Sequence, residues 1–283
     1  MEPRSRETTP TKEDLDFIVD DGYRHDVDPD YVPNEKYLVK NIVFNEAKEY
    51  KVKDCKIKYK RIPIEVKYPN GKKGALVIET PVLFSFGVNE KKNQETNKLV
   101  GYSIPVCLWA KGSDPNNKEK AFFDAINNVT NISQQCLENE YGADLASTLS
   151  SPFYFKQEEY TDKKGKKKTR IDSSSAPVLY AKLIYSEKSK KILSLFKTKG
   201  KKDLNPFKYI DQYCNVKMAL IIEGIFISKT VTSLQIKVHE CYVKPLKPRE
   251  SLITIEEEEE ESEGEYVKDD IEDLVLSDKE ETE

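Results

Sequence analysis

The middle of the chain is built from short stretches in which apolar and polar residues alternate. Within residues 53–68, apolar residues at 55, 57 and 59 alternate with Lys56, Lys58 and Lys60. A period of two places successive side chains on opposite faces of a strand, so the three lysines are predicted to share one face. The alternation breaks at Arg61 and resumes after it, which predicts a bulge near residues 61–63.

The same pattern predicts further strands and two hairpins. Asn70-Gly71 supplies the positive φ that a tight hairpin turn requires, between the strand above and residues 75–80. Other predicted strands cover residues 99–110, 153–160 and 178–185, and residues 218–228 and 233–243 predict a closing hairpin.

One segment follows helical spacing instead. From about Asn117 to Glu138, apolar residues recur at intervals of three and four, namely at Phe122, Ile126, Val129, Ile132 and Cys136. Gly142 follows as a stop signal. The sequence therefore predicts a mainly β (α+β) barrel or sandwich with one main inserted helix.

Charge is sorted along the length of the chain. Residues 1–35 hold 4 basic and 11 acidic residues, 36–249 hold 40 and 22, and 250–283 hold 2 and 17. The net charges are therefore −7, +18 and −15, which sum to the whole-chain value of −4. This predicts a disordered acidic N-terminal arm, a basic β-rich domain over 36–249 and a disordered acidic C-terminal tail. A basic domain of this kind favours a polyanionic partner; a solvated surface with disordered tails is the alternative.

The C-terminal tail contains six consecutive glutamates at 256–261. Beyond them, Ile271, Leu274 and Val275 are predicted to share a helical face that binds a replication or virion protein. The tail is also predicted to compete with nucleic acid for the basic surface.

Composition bears on compartment and chemistry. The five cysteines include no CxxC motif, which favours reduced thiols in a cytosolic or nuclear compartment. We expect neither secretion nor a membrane span, because no basic-then-apolar leader occurs and the longest apolar stretch is interrupted by charges. The two histidines and the scattered carboxylates match no catalytic, metal or cofactor motif, so we expect no enzyme activity and no cofactor.

Two basic clusters in predicted loops are the clearest chemical signal, because several lysines or arginines along a groove can neutralise successive phosphates. Nearby aromatic residues offer faces on which bases could stack, although strand aromatics often lie in cores instead. The lysines at 56–60 have an alternative explanation as protection of an edge strand. The candidate nucleic-acid-binding residues are Lys56, Lys58, Lys60, Arg61, Lys72, Lys73, Trp109, Tyr154, Tyr160, Lys163, Lys164, Lys166, Lys167, Lys168, Arg170, Lys190, Lys191, Lys197, Lys199, Lys201 and Lys202.

The segment 74–90, GALVIETPVLFSFGVNE, and the order of strands and helix after it resemble a known family. This family comprises uncharacterised and single-stranded-DNA-binding proteins of nucleocytoplasmic large DNA viruses, and it includes the asfarvirus single-stranded DNA-binding protein. The similarity covers roughly residues 50–245 and implies an oligonucleotide-binding-type β-core. The acidic tail is similar in kind to tails of unrelated bacterial and poxvirus single-strand binders, which implies partner recruitment.

The function expected from the resemblance and the charge pattern is sequence-tolerant binding of single-stranded DNA in viral replication, repair or packaging. The expected location is the viral factory in the host cytoplasm, or the nucleus, with packaging in the virion as a further option. A virion scaffold protein with a basic surface is the first alternative, and a nucleic-acid enzyme or its subunit is the second. The sequence leaves the oligomeric state open.

Overall fold

The computed structural model describes residues 40–51, 58–68, 70–93, 96–161, 165–172, 174–201 and 203–246. All of these residues belong to one compact unit, Met1–Leu246. The predicted arm over 1–35 and tail over 250–283 lie outside the described residues, and so do Ile271, Leu274 and Val275.

The described part contains sixteen strands, two α-helices and one 3-10 helix at Pro206–Tyr209. The helices are α1 (Asn117–Tyr141) and α2 (Ala143–Ala146). The strands are β1 (Ile42–Phe44), β2 (Lys48–Lys51), β3 (Lys58–Lys67), β4 (Lys73–Glu79), β5 (Leu83–Ser85), β6 (Asn89–Lys92), β7 (Leu99–Cys107), β8 (Phe153–Tyr154), β9 (Gln157–Thr161), β10 (Lys167–Ile171), β11 (Val178–Leu183), β12 (Tyr185–Ser186), β13 (Lys191–Ile192), β14 (Leu195–Lys197), β15 (Cys214–Ile227) and β16 (Thr232–Pro245).

The two longest strands, β15 and β16, form the predicted closing hairpin. They pair antiparallel over their whole length, from Cys214 opposite Pro245 to Ile227 opposite Thr232. The other edge of β15 pairs in turn with β5, β4 and β3. Gly224 lies where β3 begins to pair, and a side chain there would overlap the carbonyl oxygen of Ile62. A glycine is therefore needed for this close approach.

Five strands close into a barrel. β15 pairs with β5, β5 with β7, β7 with β11, β11 with β16 in parallel, and β16 with β15. Large apolar side chains fill its interior, among them Ile104, Val106, Leu179, Leu220 and Val238. A small five-stranded barrel is the architecture of oligonucleotide-binding folds. The predicted fold class, mainly β with one main inserted helix, is therefore confirmed.

The predicted bulge in β3 is wrong. β3 runs from residue 58 to 67 in regular register with its neighbours, so Lys58 and Lys60 share a face with the buried Ile62. The sequence pattern looks broken because the strand extends past the edge of the core, where lysines replace apolar residues on that face. The register shifts occur instead in the pairing of β15 with β16. One falls at Glu223 of β15, next to the stretch that pairs with β3, and the other falls at His239 of β16.

The long helix α1 joins β7 to β8 and packs on the core. The side chain of Asn116 accepts hydrogen bonds from the first turn, and Glu119 completes a capping box. The helix ends before Gly142, as predicted. The predicted buried face is wrong near the end of the helix, where Ser133 and Leu137 are buried instead of Ile132 and Cys136. With 3.6 residues per turn, the positions that face the core move along the sequence from one turn to the next.

Candidate nucleic-acid interface

The outward face of β7 carries only small side chains. Tyr102, Ile104 and Val106 point into the barrel and are buried. The alternate positions, on the opposite face of the strand, are Gly101, Ser103, Pro105 and Cys107; the first three are themselves buried, and Cys107 is half-buried. We call this row, with the four side chains Tyr154, Tyr180, Lys91 and Lys182 that flank it, the β7 surface.

Two exposed tyrosines flank the row on the β11 side. Tyr180 on β11 lies opposite Pro105, and Tyr154 on β8 lies opposite Val178. Tyr154 is 54% exposed and Tyr180 is 42% exposed, and their ring centres lie 6.2 Å apart in an edge-to-face arrangement. Two aromatic rings thus stand next to each other on the outside of the barrel, beside a row of small residues.

A lysine crosses the small row from its other side. Lys91 on β6 lies opposite Gly101, yet its Nζ atom lies 5.0 Å from the ring centre of Tyr180. Because Tyr180 pairs with Pro105, four residues further along β7, the Lys91 side chain extends past the level of Ser103. The Ser103 hydroxyl is buried and has no hydrogen-bond partner within the described ranges.

A second lysine, Lys182, belongs to a polar group next to Tyr180. Its Nζ atom donates a hydrogen bond of 3.0 Å to Oε1 of Gln235. Lys182 also lies opposite Lys237, which forms a 3.2 Å ion pair with Glu223. The side chains of Lys237 and Glu223 are only 8% and 13% exposed, so this pair holds the barrel surface together and is not offered to a ligand.

The hairpin formed by β9 and β10 extends from the same region. Tyr160 lies opposite Lys168, and Glu158 lies opposite Arg170, so these four share one face. The Arg170 guanidinium lies 5.2 Å from the ring centre of Tyr160 and bonds Glu158 at 2.6 Å. All five residues of β10 are exposed. The hairpin therefore presents an aromatic ring with basic neighbours, six residues beyond Tyr154.

Asp172 fixes the base of this hairpin. Its carboxylate accepts hydrogen bonds from the hydroxyls of Ser174 at 2.6 Å and Ser175 at 2.7 Å, and its backbone N–H donates to the carbonyl of Lys156 at 2.8 Å. The serine hydroxyls stabilise the charged form and lower the pKa of Asp172 to about 2, with a smaller contribution from the ammonium of Lys156.

The predicted residues on β3 lie elsewhere. Lys60 pairs with Ile227 at the far end of β15. That position is eleven residues along β15 from Val216, the last residue that pairs with β5. Its Nζ atom lies 3.5 Å from Glu49 and 5.8 Å from the ring centre of Tyr141. The cavity beside it is also lined by Glu46 and Glu140, and this acidic lining disfavours a phosphate. Exposed Lys58 follows the same strand, and Lys72 and Lys73 are exposed around the start of β4.

Arg61 and Trp109 pack against protein aromatics. The Arg61 guanidinium lies 5.8 Å from the ring centres of both Tyr50 and Tyr59. Trp109 is half-buried against the core and meets the ring of Phe123 on α1 at 5.7 Å and 82°. We therefore leave Trp109 out of the interface, because its ring serves to pack the helix on the barrel.

The second basic cluster is divided between two turns. Lys190 and Lys191 are exposed in the β12–β13 hairpin, and Lys199 and Lys201 are exposed in the turn after β14. Lys197 on β14 pairs with Glu240 at 2.8 Å. In the first cluster, Lys167 pairs with Glu159 at 3.6 Å, while Lys166 is exposed near the hairpin turn. The remaining candidates lie outside the described residues, namely Lys56, Lys163, Lys164 and Lys202.

Three residues of the β7 surface are absent from the set predicted from the sequence: Tyr180, Lys91 and Lys182. The sequence contains one signal for them. In Gly101–Leu108 every second residue is small while the others are large and apolar, which indicates a strand with large side chains on one face and small side chains on the other. Pairing partners along that strand cannot be read from spacing alone, because they depend on long-range register.

Two further observations concern the described residues alone. None of the helices there is long and apolar enough to cross a membrane. No group of three or more histidine, cysteine, aspartate or glutamate side chains in those ranges could hold a metal ion.

Comparisons with known proteins complete the description. No curated protein sequence matches the chain. Three chains among the solved structures match it, one of them described as "Single-stranded DNA-binding protein from bacteriophage Enc34 in complex with ssDNA". That chain is 13% identical, the match covers 65% of this chain and 92% of that one, and the TM-score is 0.38.

The family comparison covers more of the chain. None of the matches connects the chain to nucleocytoplasmic large DNA viruses, so that resemblance stays a prediction. A family model matches residues 34–276, and the chain therefore belongs to the family described as "Protein of unknown function (DUF2738)".

Proposed function

We propose that this protein binds single-stranded nucleic acid, with little sequence preference, on the β7 surface and the adjoining β9–β10 hairpin. The observation that carries the proposal is the pair of exposed tyrosines, Tyr154 and Tyr180, standing beside a row of small residues with Lys91 within reach. In oligonucleotide-binding barrels the ligand lies on the second and third strands and the loops beside them. Here β7 and β11 hold those positions in chain order.

The tyrosines supply the contacts to bases. Every base has a flat π-face, so stacking on an aromatic side chain tolerates any sequence and contributes about 1–3 kcal/mol per base. The residues at 101, 103 and 105 are small and buried, so no bulky side chain of β7 stands beside the two exposed rings. The Lys91 ammonium lies over the Tyr180 ring in the free protein, and a stacked base would displace it toward a phosphate.

The surrounding charge favours a polyanion. Residues 36–249 carry a net charge of +18, while the two acidic ends carry the compensating negative charge. On the hairpin, Lys168 and Arg170 share the face of Tyr160 and Glu158. Exposed basic side chains of this kind bind phosphates and release counterions.

Single strands are favoured over duplexes for two reasons. Bases in a duplex already stack on each other and offer no free face to Tyr154 or Tyr180. Duplex DNA is also stiff, with a persistence length of about 150 base pairs, and follows the convex surface of a five-stranded barrel poorly.

Fluorescence anisotropy on the full chain tests this proposal. Labelled single-stranded DNA, duplex DNA and RNA of the same sequence would be titrated over a salt series. We expect single strands to bind more tightly than duplex, with a log–log salt slope of about −0.7 per phosphate contact. Tyr154→Ala with Tyr180→Ala should weaken binding at least tenfold, since each stacked base contributes about 1–3 kcal/mol.

Leu193→Ala is the matched control for these variants, because Leu193 is a large exposed side chain that lies outside the β7 surface. Equal affinity of the tyrosine variant and this control for single-stranded DNA would overturn the proposal. So would equal binding of duplex and single strands.

The wider role follows only from the sequence resemblance. We propose action in viral DNA replication, repair or packaging, in the viral factory or the nucleus, with the acidic C-terminal tail modulating binding or recruiting partners. No enzymatic step is part of the proposal. Immunoprecipitation of the protein from infected cells, followed by sequencing of the bound nucleic acid, would test this role, and recovery of host sequences alone would contradict it.

A further inference from the structure

A second group of exposed aromatic residues lies on the other side of β7. Phe84 and Phe86 meet edge to face with ring centres 5.3 Å apart, and Tyr213 contacts them at 5.7 and 6.0 Å. Tyr213 is 63% exposed, while both phenylalanines are half-buried. We call these three residues the Phe84 cluster. No residue of it was predicted from the sequence.

The backbone holds this cluster in place. The backbone N–H of Val88 donates to the carbonyl of Tyr209 at 2.7 Å, and that of Asp211 donates to the carbonyl of Val88 at 3.2 Å. Gly87, which stands between Phe86 and Val88, has φ +90°, and a Cβ there would lie 2.6 Å from backbone atoms of Gln212. Only glycine permits this approach, which brings Phe86 against Tyr213.

Strand register connects the cluster to the β7 surface. Phe84 lies opposite Cys107, Cys107 lies opposite Val178, and Val178 lies opposite Tyr154. Directly paired residues project from the same face of a sheet, so this row follows the outside of the barrel. At about 4.8 Å per strand, the path along the surface from Phe84 to Tyr154 is about 14 Å.

The row continues from the cluster to a basic edge. Asn215 lies opposite Phe84, and exposed Lys244 lies opposite Asn215. Next to them, Lys217, Tyr242 and Lys197 form a second cross-strand row over β15, β16 and β14. Lys217 pairs with Glu79 and Lys197 with Glu240, both at 2.8 Å, while the turn after β14 adds exposed lysines.

We propose that the Phe84 cluster is a second base-stacking platform for the same single strand. The strand would pass from Tyr154 and Tyr180 over Cys107 to the cluster and leave along the basic edge at Lys244. This inference rests on the proposed function and deepens it, since it connects the two basic clusters of the sequence, at the β9–β10 hairpin and after β14, by one path around the barrel.

The nucleobase is the occupant that these surroundings favour. The cluster is aromatic, which suits the flat face of a base, and it stands between basic residues on one side and the proposed interface on the other. A single strand is flexible enough to follow a curved surface of this kind, whereas a duplex is not.

The test compares two variants at one position. Tyr213→Ala removes the exposed ring, while Tyr213→Phe keeps it and removes only the hydroxyl. Each full-length variant would be titrated with oligonucleotides of about 4 and about 16 nucleotides, the range of site sizes for one such barrel. We expect Tyr213→Ala to lose about tenfold in affinity for the long oligonucleotide and at most about twofold for the short one.

Tyr213→Phe should retain the wild-type affinity for both lengths. If wild-type protein binds the long oligonucleotide and Tyr213→Ala binds it equally well, the second platform is overturned while the proposed function stands. If wild-type protein binds neither oligonucleotide, the proposed function itself fails. Thermal unfolding of each variant checks that the fold is unchanged.

Cys107 reports on the path between the two platforms. It is a half-buried thiol on the outward row, whereas Cys136 lies on α1 and serves as an internal control. Burial raises the pKa of both thiols, so alkylation should be followed at alkaline pH by peptide mass spectrometry. We expect saturating long oligonucleotide to slow alkylation of Cys107 several-fold and to leave Cys136 unchanged. An unchanged rate at Cys107 would overturn the proposed path.

Discussion

Pro105 lies at the centre of the small row on β7, and its carbonyl oxygen fixes the end of β5. That oxygen accepts a hydrogen bond from the Ser85 hydroxyl at 2.9 Å and one from the Phe86 backbone N–H at 3.3 Å. The Ser85 oxygen in turn accepts from the Gly87 N–H at 3.0 Å. One buried serine therefore connects the strand beneath the tyrosines to the turn that carries Phe86.

Two buried serines near Pro105 differ in whether the hydroxyl forms a hydrogen bond. Ser85 and Ser103 are both fully buried, but only Ser85 has partners for its hydroxyl within the described residues. Ser85→Ala should lower the free energy of unfolding by about 1–3 kcal/mol, because it leaves buried polar groups unsatisfied. Ser103→Ala should change it by less than about 0.5 kcal/mol. Urea denaturation of both variants measures the difference, and equal losses would contradict this prediction.

Asp172 predicts a pH dependence for the base of the hairpin. Its pKa in the folded protein is lowered to about 2 by the Ser174 and Ser175 hydroxyls, whereas an unfolded aspartate has a pKa of about 3.9. The stabilisation from a lowered pKa is complete above the unfolded value and is lost as pH falls through the folded one. Wild type should therefore lose stability between about pH 4 and pH 2.

Asp172→Asn provides the comparison, because an amide does not titrate in this range. The variant should be less stable than wild type at neutral pH, and the difference should shrink on acidification. Denaturation midpoints measured over pH would reveal this convergence. A constant difference from neutral pH to pH 2 would show that the carboxylate charge has no such role.

At the scale of elements, the β9–β10 hairpin offers its own control. Lys168 and Arg170 share the Tyr160 face, while Lys167, which directly precedes Lys168, lies on the opposite face and forms an ion pair with Glu159. Replacing Lys168 and Arg170 by alanine should weaken binding of single-stranded DNA and make the salt slope shallower by about 0.7 per lost phosphate contact.

Lys167→Ala is the matched control, and it should leave the salt slope nearly unchanged. The measurement is again anisotropy over a salt series on the full chain. If Lys167→Ala weakens binding as much per charge removed as the double replacement of Lys168 and Arg170, only the overall charge of the hairpin matters, and a role for one face is contradicted.

Elements with local signals were predictable from the sequence, and their arrangement was not. Helix α1, the Asn70-Gly71 turn and the β15–β16 hairpin all follow from spacing between near neighbours. The pairing of β11 with both β7 and β16 joins residues more than 50 positions apart, and the β11–β7 and β6–β7 pairings together place Tyr180 next to Lys91. The exposure of Tyr154 follows from its place between two phenylalanines, whereas the packing of Trp109 on Phe123 of the helix is a long-range contact that spacing does not reveal.

At the scale of the whole molecule, the sorting of charge predicts competition between the tail and the nucleic acid. Residues 250–283 carry a net charge of −15, against +18 for residues 36–249. Deleting residues 250–283 should raise the affinity for single-stranded DNA at low salt, and the gain should shrink as salt screens the tail. A tail with its acidic residues changed to glutamine and asparagine is the matched control and should behave like the deletion. Unchanged affinity at low salt would contradict the competition.

The central claim is that single strands bind on the outer surface of β7 and β11, and photo-crosslinking tests it most directly. Full-length protein would be irradiated with single-stranded DNA carrying photoreactive thymine, and the crosslinked peptides would be identified by mass spectrometry. We expect crosslinks at Tyr154 and Tyr180, with further crosslinks at Tyr160 and Tyr213. Crosslinks confined to the β2–β3 region around Tyr50 and Arg61, or none at all, would contradict this account.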